Sequence, residues 1–470
     1  MRISYEVLCS LFPEASILQG SLEQDLFFSL DSRTIKEDEI FIPFKGQKVD
    51  SHSFVEDVLH KCKGAFVAFS YKDTYEERIK NAFSDKLILM VESPEKVLIE
   101  LARWWRSHVT CPVVGITGSV GKTSTKLFLE AILKYAHKKA FVGQGNQNTV
   151  LGISLSIARM ALDAECAIFE LGISKPGEMR ELVEFVRPTI GVITAIGHSH
   201  LDGLGTISDV AVEKKKIFSL FNETNIGIIN GDSPLLAQSS YSHPVIKFGR
   251  KKHNQIEARG LTIENGKLSF VLKLYQNKYL VTFDTTHESY VYIVLAAVTV
   301  AYHLGVDEKT IIQAVQQPIQ RYRRFEKKPL KHGNSFMIDD AYNASPESTR
   351  AALVAFDKIP WEGKKIVVLG DMLALGDKSV LYHKKIGRLF FKLLSIDQLI
   401  LVGNRVHCMS AVVPKTLSVR TCSTLQEARE IVDALLTDNM LVLFKASLGM
   451  NFVELVNYYS TPYKAPTLEK

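Results

Sequence analysis

The residues Gly115-Ile116-Thr117-Gly118-Ser119-Val120-Gly121-Lys122-Thr123-Ser124-Thr125-Lys126 lie between an apolar run, Pro112-Val113-Val114, and a helical pattern that begins at Leu127. Strand, glycine turn, Lys-Thr and helix in that order are what a phosphate cradle requires. Glycines lack the Cβ that would keep backbone N–H groups from converging on an anion, and the helix N-terminus behind them adds a positive dipole end. Gly118 and Gly121 fill the first role. Lys122 would place its charge on the β- and γ-phosphates, and the Thr123 hydroxyl would ligate Mg²⁺. The strict spacing asks for a glycine five positions before Gly121, where Ile116 stands, so this is a variant of the pattern. A glycine-rich strand-to-helix turn of purely structural role is the alternative; the Lys-Thr pair in this context points instead to ATP.

Three further motifs fall at or beyond the ends of expected strands. Phe169-Glu170-Leu171-Gly172 offers a carboxylate that can hold Mg²⁺ directly or through water. Gly197-His198-Ser199-His200-Leu201-Asp202-Gly203 is a glycine-flanked loop able to present an imidazole, and Lys214 follows it on a helical segment. Taken singly, Glu170 reads as a capping acid, His200 as a hydrogen-bonded loop histidine and Lys214 as surface charge.

These residues need elements to position them. At 470 residues the chain exceeds one ordinary core, and the size prior gives about three domains. Its hydrophobic and charged fractions, 46% and 23%, are those of a globular protein. The net charge of +6 is spread along the chain, which favours small acidic substrates and gives no argument for nucleic acid. The clusters Lys214-Lys215-Lys216, Lys251-Lys252 and Arg321 to Lys328 read as solvated faces. Six scattered cysteines without C-x-x-C spacing fit a reducing compartment. The longest apolar run, residues 290–302, is too short to span a bilayer. A cytoplasmic monomer, without nucleic acid or membrane insertion, is expected.

Short apolar runs at Ile40-Phe41-Ile42, Ala65-Phe66-Val67-Ala68-Phe69 and Leu87-Ile88-Leu89-Met90-Val91, with a helical segment over 54–62, predict a small α/β unit. A helix opening at Ser93-Pro94-Glu95 leads to the phosphate loop. From there strands alternate with helices, the signature of a parallel sheet whose functional loops lie beyond the strands' carboxyl ends. After a β-rich stretch over 268–283 and a helix over 290–304, a second α/β series begins near Arg321. Its strands are expected at Met337-Ile338 and over 365–369, 398–402 and 440–444.

The order of phosphate loop, Glu170, His200 and Lys214 resembles the Mur ligase family, ATP-dependent amide-forming enzymes, and the resemblance runs nearly the whole length. Within the family it is closest to the branch that adds D-alanyl-D-alanine to UDP-N-acetylmuramoyl-tripeptide. It is carried at the N-terminus by Asp31-Ser32-Arg33, Ile40-Phe41-Ile42-Pro43-Phe44-Lys45-Gly46 and Asp50-Ser51-His52-Ser53-Phe54. In the centre it is carried by Gly145-Asn146-Gln147-Asn148-Thr149-Val150-Leu151-Gly152 and Pro176-Gly177-Glu178-Met179. Near the C-terminus it rests on Asp339-Asp340-Ala341-Tyr342-Asn343-Ala344-Ser345-Pro346 and Leu369-Gly370-Asp371-Met372-Leu373-Ala374-Leu375-Gly376.

The resemblance implies an α/β fold of three domains: a small N-terminal α/β domain for the UDP-substrate over 1–92, a central P-loop parallel-sheet ATPase domain over 93–320, and a C-terminal Rossmann-like α/β domain over 321–470. It implies ATP and Mg²⁺ as cofactors and a reaction through an acyl phosphate. It implies that Lys122, Glu170, His200 and Lys214 are catalytic. Gly118, Ser119, Gly121, Lys122, Thr123, Ser124, Asn148, Arg324 and Asp340 would bind the nucleotide. Thr123, Glu170, His200 and Lys214, the last as its carbamate, would serve the metal. Ser32, Arg33, Lys45, Asp50, His52, Tyr342, Asn343 and Ser447 would bind substrate.

Four segments depart from the family pattern, at five positions. Ala195 stands where the family has Asn. Tyr290 and Ile293 replace two side-chain amides that approach the adenine, leaving stacking or apolar contact with the base. Leu448 replaces an arginine, and Ser51 a glycine. Alternatives are another Mur-type or folylpolyglutamate-type amide ligase, or a nucleotide-binding relative without catalysis.

Overall fold

A computed structural model describes residues 5–19, 27–45, 49–73, 81–143, 147–319, 322–331 and 333–460. The chain resolves into two compact units. One comprises Met1–Gly115, Lys139–Gly172 and Glu181–Pro188; the other comprises Ile116–Lys138, Ile173–Arg180 and Thr189–Lys470. The boundary expected at 92/93 lies in the turn before the helix Pro94–Ser107. The boundary expected at 320/321, like Gly46, Gly145, Asn146 and the tail over 461–470, lies outside the described residues.

In the first unit, strands β1 (Ser16–Gln19), β2 (Phe27–Ser29), β3 (Glu39–Phe41), β4 (Gly64–Ala68) and β5 (Leu87–Val91) form a sheet in the order β1-β5-β4-β3-β2. Only β1 runs antiparallel to its neighbour. β4 and β5 are buried throughout, which is why they read as unbroken apolar runs rather than alternating ones. The segment expected as one helix over 54–62 divides into a turn, Ser51–Phe54, capped by Asp50, and a short helix, Val55–Leu59. The helix Pro94–Ser107 opens as expected: the Ser93 hydroxyl accepts from Lys96 N, and Pro94 takes the first turn, where its missing N–H costs nothing. The unit also holds the start of β6 (Val113–Thr117) and the parallel pair β7 (Ala140–Val142) and β8 (Cys166–Glu170).

In the second unit, β9 (Ile190–Ile193), β10 (Ile226–Asn230), β11 (Val245–Gly249) and β12 (Ile256–Glu264) are parallel neighbours. β12, β13 (Lys267–Leu274) and β14 (Asn277–Asp284) then continue as an antiparallel meander. A second sheet follows. It is built from β15 (Glu326–Pro329), β16 (Phe336–Asp340), β17 (Lys364–Gly370), β18 (Gln398–Val402), β19 (Ser418–Cys422) and β20 (Met440–Lys445), in the order β15-β16-β20-β17-β18-β19. All its pairings except β15–β16 are parallel. β9 ends at Ile193, and the next side chain, Thr194, turns its hydroxyl to the backbone carbonyls of Thr117 and Val120.

Arg106 anchors the first unit. Buried at 8% exposure, its guanidinium donates from Nε to Val186 O (2.6 Å), from Nη2 to Arg187 O (2.8 Å) and from Nη1 to Val109 O (3.1 Å). Two of those carbonyls lie at the C-terminal end of the helix Glu178–Val186, where orphan carbonyls and the negative dipole end favour a cation. Arg106→Met leaves these carbonyls without their donor, and the expected loss is about 2–4 kcal/mol in a urea titration. A loss below about 0.5 kcal/mol would show that water replaces the guanidinium.

Candidate functional site

β6 ends at Thr117, and the chain turns through Gly118 at φ +149° and Gly121 at φ +90° into the helix Lys122–Tyr135. A Cβ on Gly118 would sit 2.0 Å from Thr194 Oγ1, so this position admits only glycine. The loop is stitched to the one that follows β9. Ser119 N donates to Ala195 O (2.8 Å), and Ser119 Oγ accepts from Gly197 N (2.9 Å) and donates to Gly197 O (3.1 Å). The Thr194 hydroxyl reaches Val120 O at 2.6 Å, and Ser199 Oγ donates to Ser119 O at 3.2 Å. Lys122 Nζ folds back onto Gly118 O at 2.9 Å, a neutral acceptor that a phosphate oxygen outcompetes. Thr123 is half-buried and Ser124 buried in the first helical turn, which has no side-chain cap.

His200, at φ +56°, starts the short helix Leu201–Leu204. Burial first, then the charges of Lys122 and Lys214, hold its imidazole below the usual histidine range, which keeps a ring nitrogen free to accept. Lys214 contradicts the solvated-face reading of its cluster: it is 2% exposed. Burial, reinforced by Lys122 and opposed by Glu213, holds it well below the ordinary range of an ammonium. The adjacent Glu213 is occupied elsewhere. Its Oε1 accepts from Gly177 N (2.9 Å) and Met179 N (3.2 Å), capping the helix Glu178–Val186 from outside it, and its Oε2 pairs with Lys216 Nζ at 2.5 Å. A Thr206/Asp209 capping box fixes the start of the helix Ile207–Lys215 that carries Lys214.

In the first unit Glu170 closes β8 at 6% exposure. Asn148 lies beside Gly172, where a Cβ would meet its Nδ2 at 2.3 Å. Asp31 takes Arg33 in a two-pronged pair (2.9 Å each) with Ser32 in the turn between them, and that pairing holds the Asp31 carboxyl down at about 2. A second group gathers at Asp50, which accepts from His52 N (3.0 Å), His52 Nδ1 (2.8 Å) and the Tyr71 hydroxyl, while His52 stacks on Tyr71 at 4.3 Å. Lys45 bridges to Asp50 through its backbone and keeps its side chain exposed.

The ends of β16 and β20 bring the C-terminal candidates together. Asp340 accepts from Lys445 Nζ (2.6 Å) and Phe325 N (3.1 Å), and the same ammonium donates to Asn343 O (3.0 Å). The Arg324 guanidinium lies 4.0 Å from the Tyr342 ring centroid. Ser447 Oγ accepts from Leu373 N (2.9 Å) and donates to Ala344 O (3.2 Å), so this serine braces the loops; Leu448 beside it is 48% exposed. Tyr290, where the sequence leaves stacking or apolar contact with the base open, is committed to the core. Its ring is 3% exposed, packed near Phe128 and His287, and its hydroxyl donates to Arg324 O at 2.7 Å. Ile293 lies near Gly121. The sequence reading missed His198, whose backbone N (3.0 Å) and Nδ1 (2.5 Å) both donate to Glu347 Oε1. These residues are 149 positions apart, beyond any local pattern. The loop after β9 is thereby tied to the helix Pro346–Asp357.

Residues 116–301 match the Mur ligase middle domain and residues 323–448 the Mur ligase glutamate ligase domain. The chain is 30% identical over 429 residues to UDP-N-acetylmuramoyl-tripeptide--D-alanyl-D-alanine ligase of Bacillus subtilis, covering 91% of each sequence. Among solved structures it aligns with MurF from Acinetobacter baumannii at a TM-score of 0.82 and 24% identity, over 97% of this chain and 98% of that one. It aligns with MurF ligase from Thermotoga maritima in complex with ADP at 0.75 and 25% identity, over 92% and 96%.

Gly118→Ala forces its Cβ against Thr194 and requires a left-handed backbone; an unfolding loss of about 2–4 kcal/mol and at least tenfold weaker ATP binding are expected by calorimetry. ATP binding at the parental affinity would show that the loop is not the cradle.

Proposed function

The chain belongs to the Mur ligase family, and on that premise we propose that it joins D-alanyl-D-alanine to UDP-N-acetylmuramoyl-tripeptide in peptidoglycan precursor synthesis. It is an ATP-dependent amide-bond-forming ligase with the three-domain α/β fold of its relatives. The observation that carries the reading is the buried, deprotonation-prone Lys214 in the electrostatic field of the phosphate-loop Lys122, with His200 responding to both. A protein that only bound nucleotide would have no use for that arrangement.

A carboxylate is a poor acyl donor because its leaving group would be oxide. In the reaction an oxygen of the tripeptide's terminal carboxylate attacks the γ-phosphorus, the bond to the β-bridging oxygen breaks, and ADP leaves. The free amine of D-alanyl-D-alanine then attacks the acyl carbon, phosphate departs with the carboxylate oxygen, and the amine's proton passes to solvent. Lys122 moves from Gly118 O to the transferring phosphoryl group and stabilises its charge. Arg324 and Asp340 meet the nucleotide from the C-terminal side, limiting water at the acyl phosphate.

The donor chemistry of the residues fits Mg²⁺. The Thr123 hydroxyl sits in the first helical turn, the His200 imidazole is held neutral, and Glu170, in the other unit, is assigned on its motif alone. Bound there, Mg²⁺ would neutralise phosphate charge and align the transferring group. An amine held neutral by burial adds to carbon dioxide with loss of a proton, giving an anionic carbamate that suits a cation as an ammonium would not. Asp31, Ser32, Arg33, Lys45, Asp50 and His52 are assigned to the uridine-nucleotide end, and Tyr342, Asn343 and Ser447 to substrate on the C-terminal side. No helix of the described residues is long and apolar enough to cross a membrane. The cytoplasm, where ATP is made and held, is the compartment this reading assigns to the reaction. One chain carries both the loop and its lysines, so a monomer suffices.

ADP release is expected only with Mg²⁺, the UDP-tripeptide and D-alanyl-D-alanine together, and Lys122→Ala should lower turnover by about three orders of magnitude or more. Lys214→Ala should be nearly inactive and regain part of its rate with added short-chain carboxylates; parental rates in either variant would remove that residue from the mechanism.

Base selection gives a further check. Tyr290 is committed to the core and Ile293 carries no polar group, so neither side chain reads the purine edge. The expected ratio of kcat/KM for ATP over GTP is correspondingly small. A ratio of several hundredfold, about 4 kcal/mol, would show that other groups read the base.

A further inference from the structure

The helix Ser379–Leu389 and the turn Phe390–Lys392 bury one side, through Tyr382, His383, Ile386, Gly387 and Phe390. Their outer side gathers several large exposed apolar side chains. Val380 is 52% exposed, Leu381 47%, Phe391 63% and Leu394 90%. At about 100° per residue, the first three fall on the arc that also carries Lys384, Lys385, Arg388 and Lys392. From 378 to 394 the sequence holds five Lys or Arg (Lys378 and these four) and no Asp or Glu. Large apolar groups are thus interleaved with uncompensated cations on a short amphipathic helix. The reaction uses neither.

We propose that this face docks on the surface of an anionic phospholipid bilayer, with the apolar side chains among the headgroups and the basic ones on lipid phosphates. Charge selects the occupant. A second copy of this chain would bring five cations against five, and repulsion opposes it. Single-stranded nucleic acid needs stacking platforms, and this face offers one aromatic ring, Phe391, among three aliphatic side chains. An anionic interface matches both components at once. It is peripheral contact and requires no spanning segment.

The test is sedimentation of the full chain with phosphatidylcholine vesicles made with and without phosphatidylglycerol, for the parent and two variants at exposed positions. One variant is Phe391→Ser with Leu394→Ser; the other is Lys384→Glu with Lys385→Glu. Thermal melting shows that each is folded. The parent should bind only the phosphatidylglycerol vesicles, and salt should weaken that binding. The charge variant should bind about tenfold more weakly or worse. The serine variant should lose binding as well. No phosphatidylglycerol-dependent binding by the parent, or binding unchanged in both variants, overturns the proposal. Binding to polyuridylate but not to vesicles overturns it in favour of nucleic acid. Concentration-dependent dimerisation that the variants abolish, without vesicle binding, overturns it in favour of self-association.

Discussion

Ser119 and Thr194 fasten the phosphate loop to the loop that follows β9, and the catalytic half of the molecule is arranged around that clasp. The Thr194 hydroxyl occupies the space where a side chain at position 118 would lie, and Ser119 exchanges two hydrogen bonds with the backbone of Gly197. These contacts fix the backbone of the cradle from within the chain, which lowers the ordering cost of binding a phosphate. The clasp also carries the β9 loop, and with it His198 and His200, to the same end of the sheet as Lys122. From there the electrostatics follow. Lys122 contributes to depressing both His200 and Lys214, so one cation at the loop favours two neutral bases behind it.

The clasp reaches further through His198. Gly197 is bonded to Ser119, and the next residue grips Glu347 in the first turn of the helix Pro346–Asp357, while Leu201 N donates to Ala374 O. Tyr290 adds a third tie, from the helix Tyr290–His303 to the backbone of Arg324. The carboxyl ends of β16 and β20, where Asp340 and Lys445 pair, are therefore joined to the phosphate loop by a short series of direct contacts. A two-step reaction needs such a connection, because the acyl phosphate must be shielded from water until the amine arrives.

Local signals made much of this legible in the sequence. The buried parallel strands announced themselves as apolar runs, the Ser93-Pro94 start as a cap, and the phosphate loop as glycines before Lys-Thr. What stayed hidden depends on distance in sequence. Lys214 sits among lysines that read as solvent-facing, and only the fold places it at 2% exposure. Glu213 caps a helix more than thirty residues earlier in the chain, a pairing that no local pattern marks. Tyr290 offered an aromatic ring of the right kind for a base, and packing against Phe128 and His287 removes it from that role. Periodicity and spacing report which face of an element is apolar; they carry no record of which distant residue fills the space beside it.

Direct phosphorylation of the carboxylate leaves a mark that oxygen tracing reads. With the terminal carboxylate of the UDP-tripeptide labelled with oxygen-18, one labelled oxygen should appear in each inorganic phosphate released during amide formation. Labelled phosphate in step with product formation is the predicted result. Unlabelled phosphate alongside product formation would mean that ATP is cleaved without touching the carboxylate, and would contradict the account.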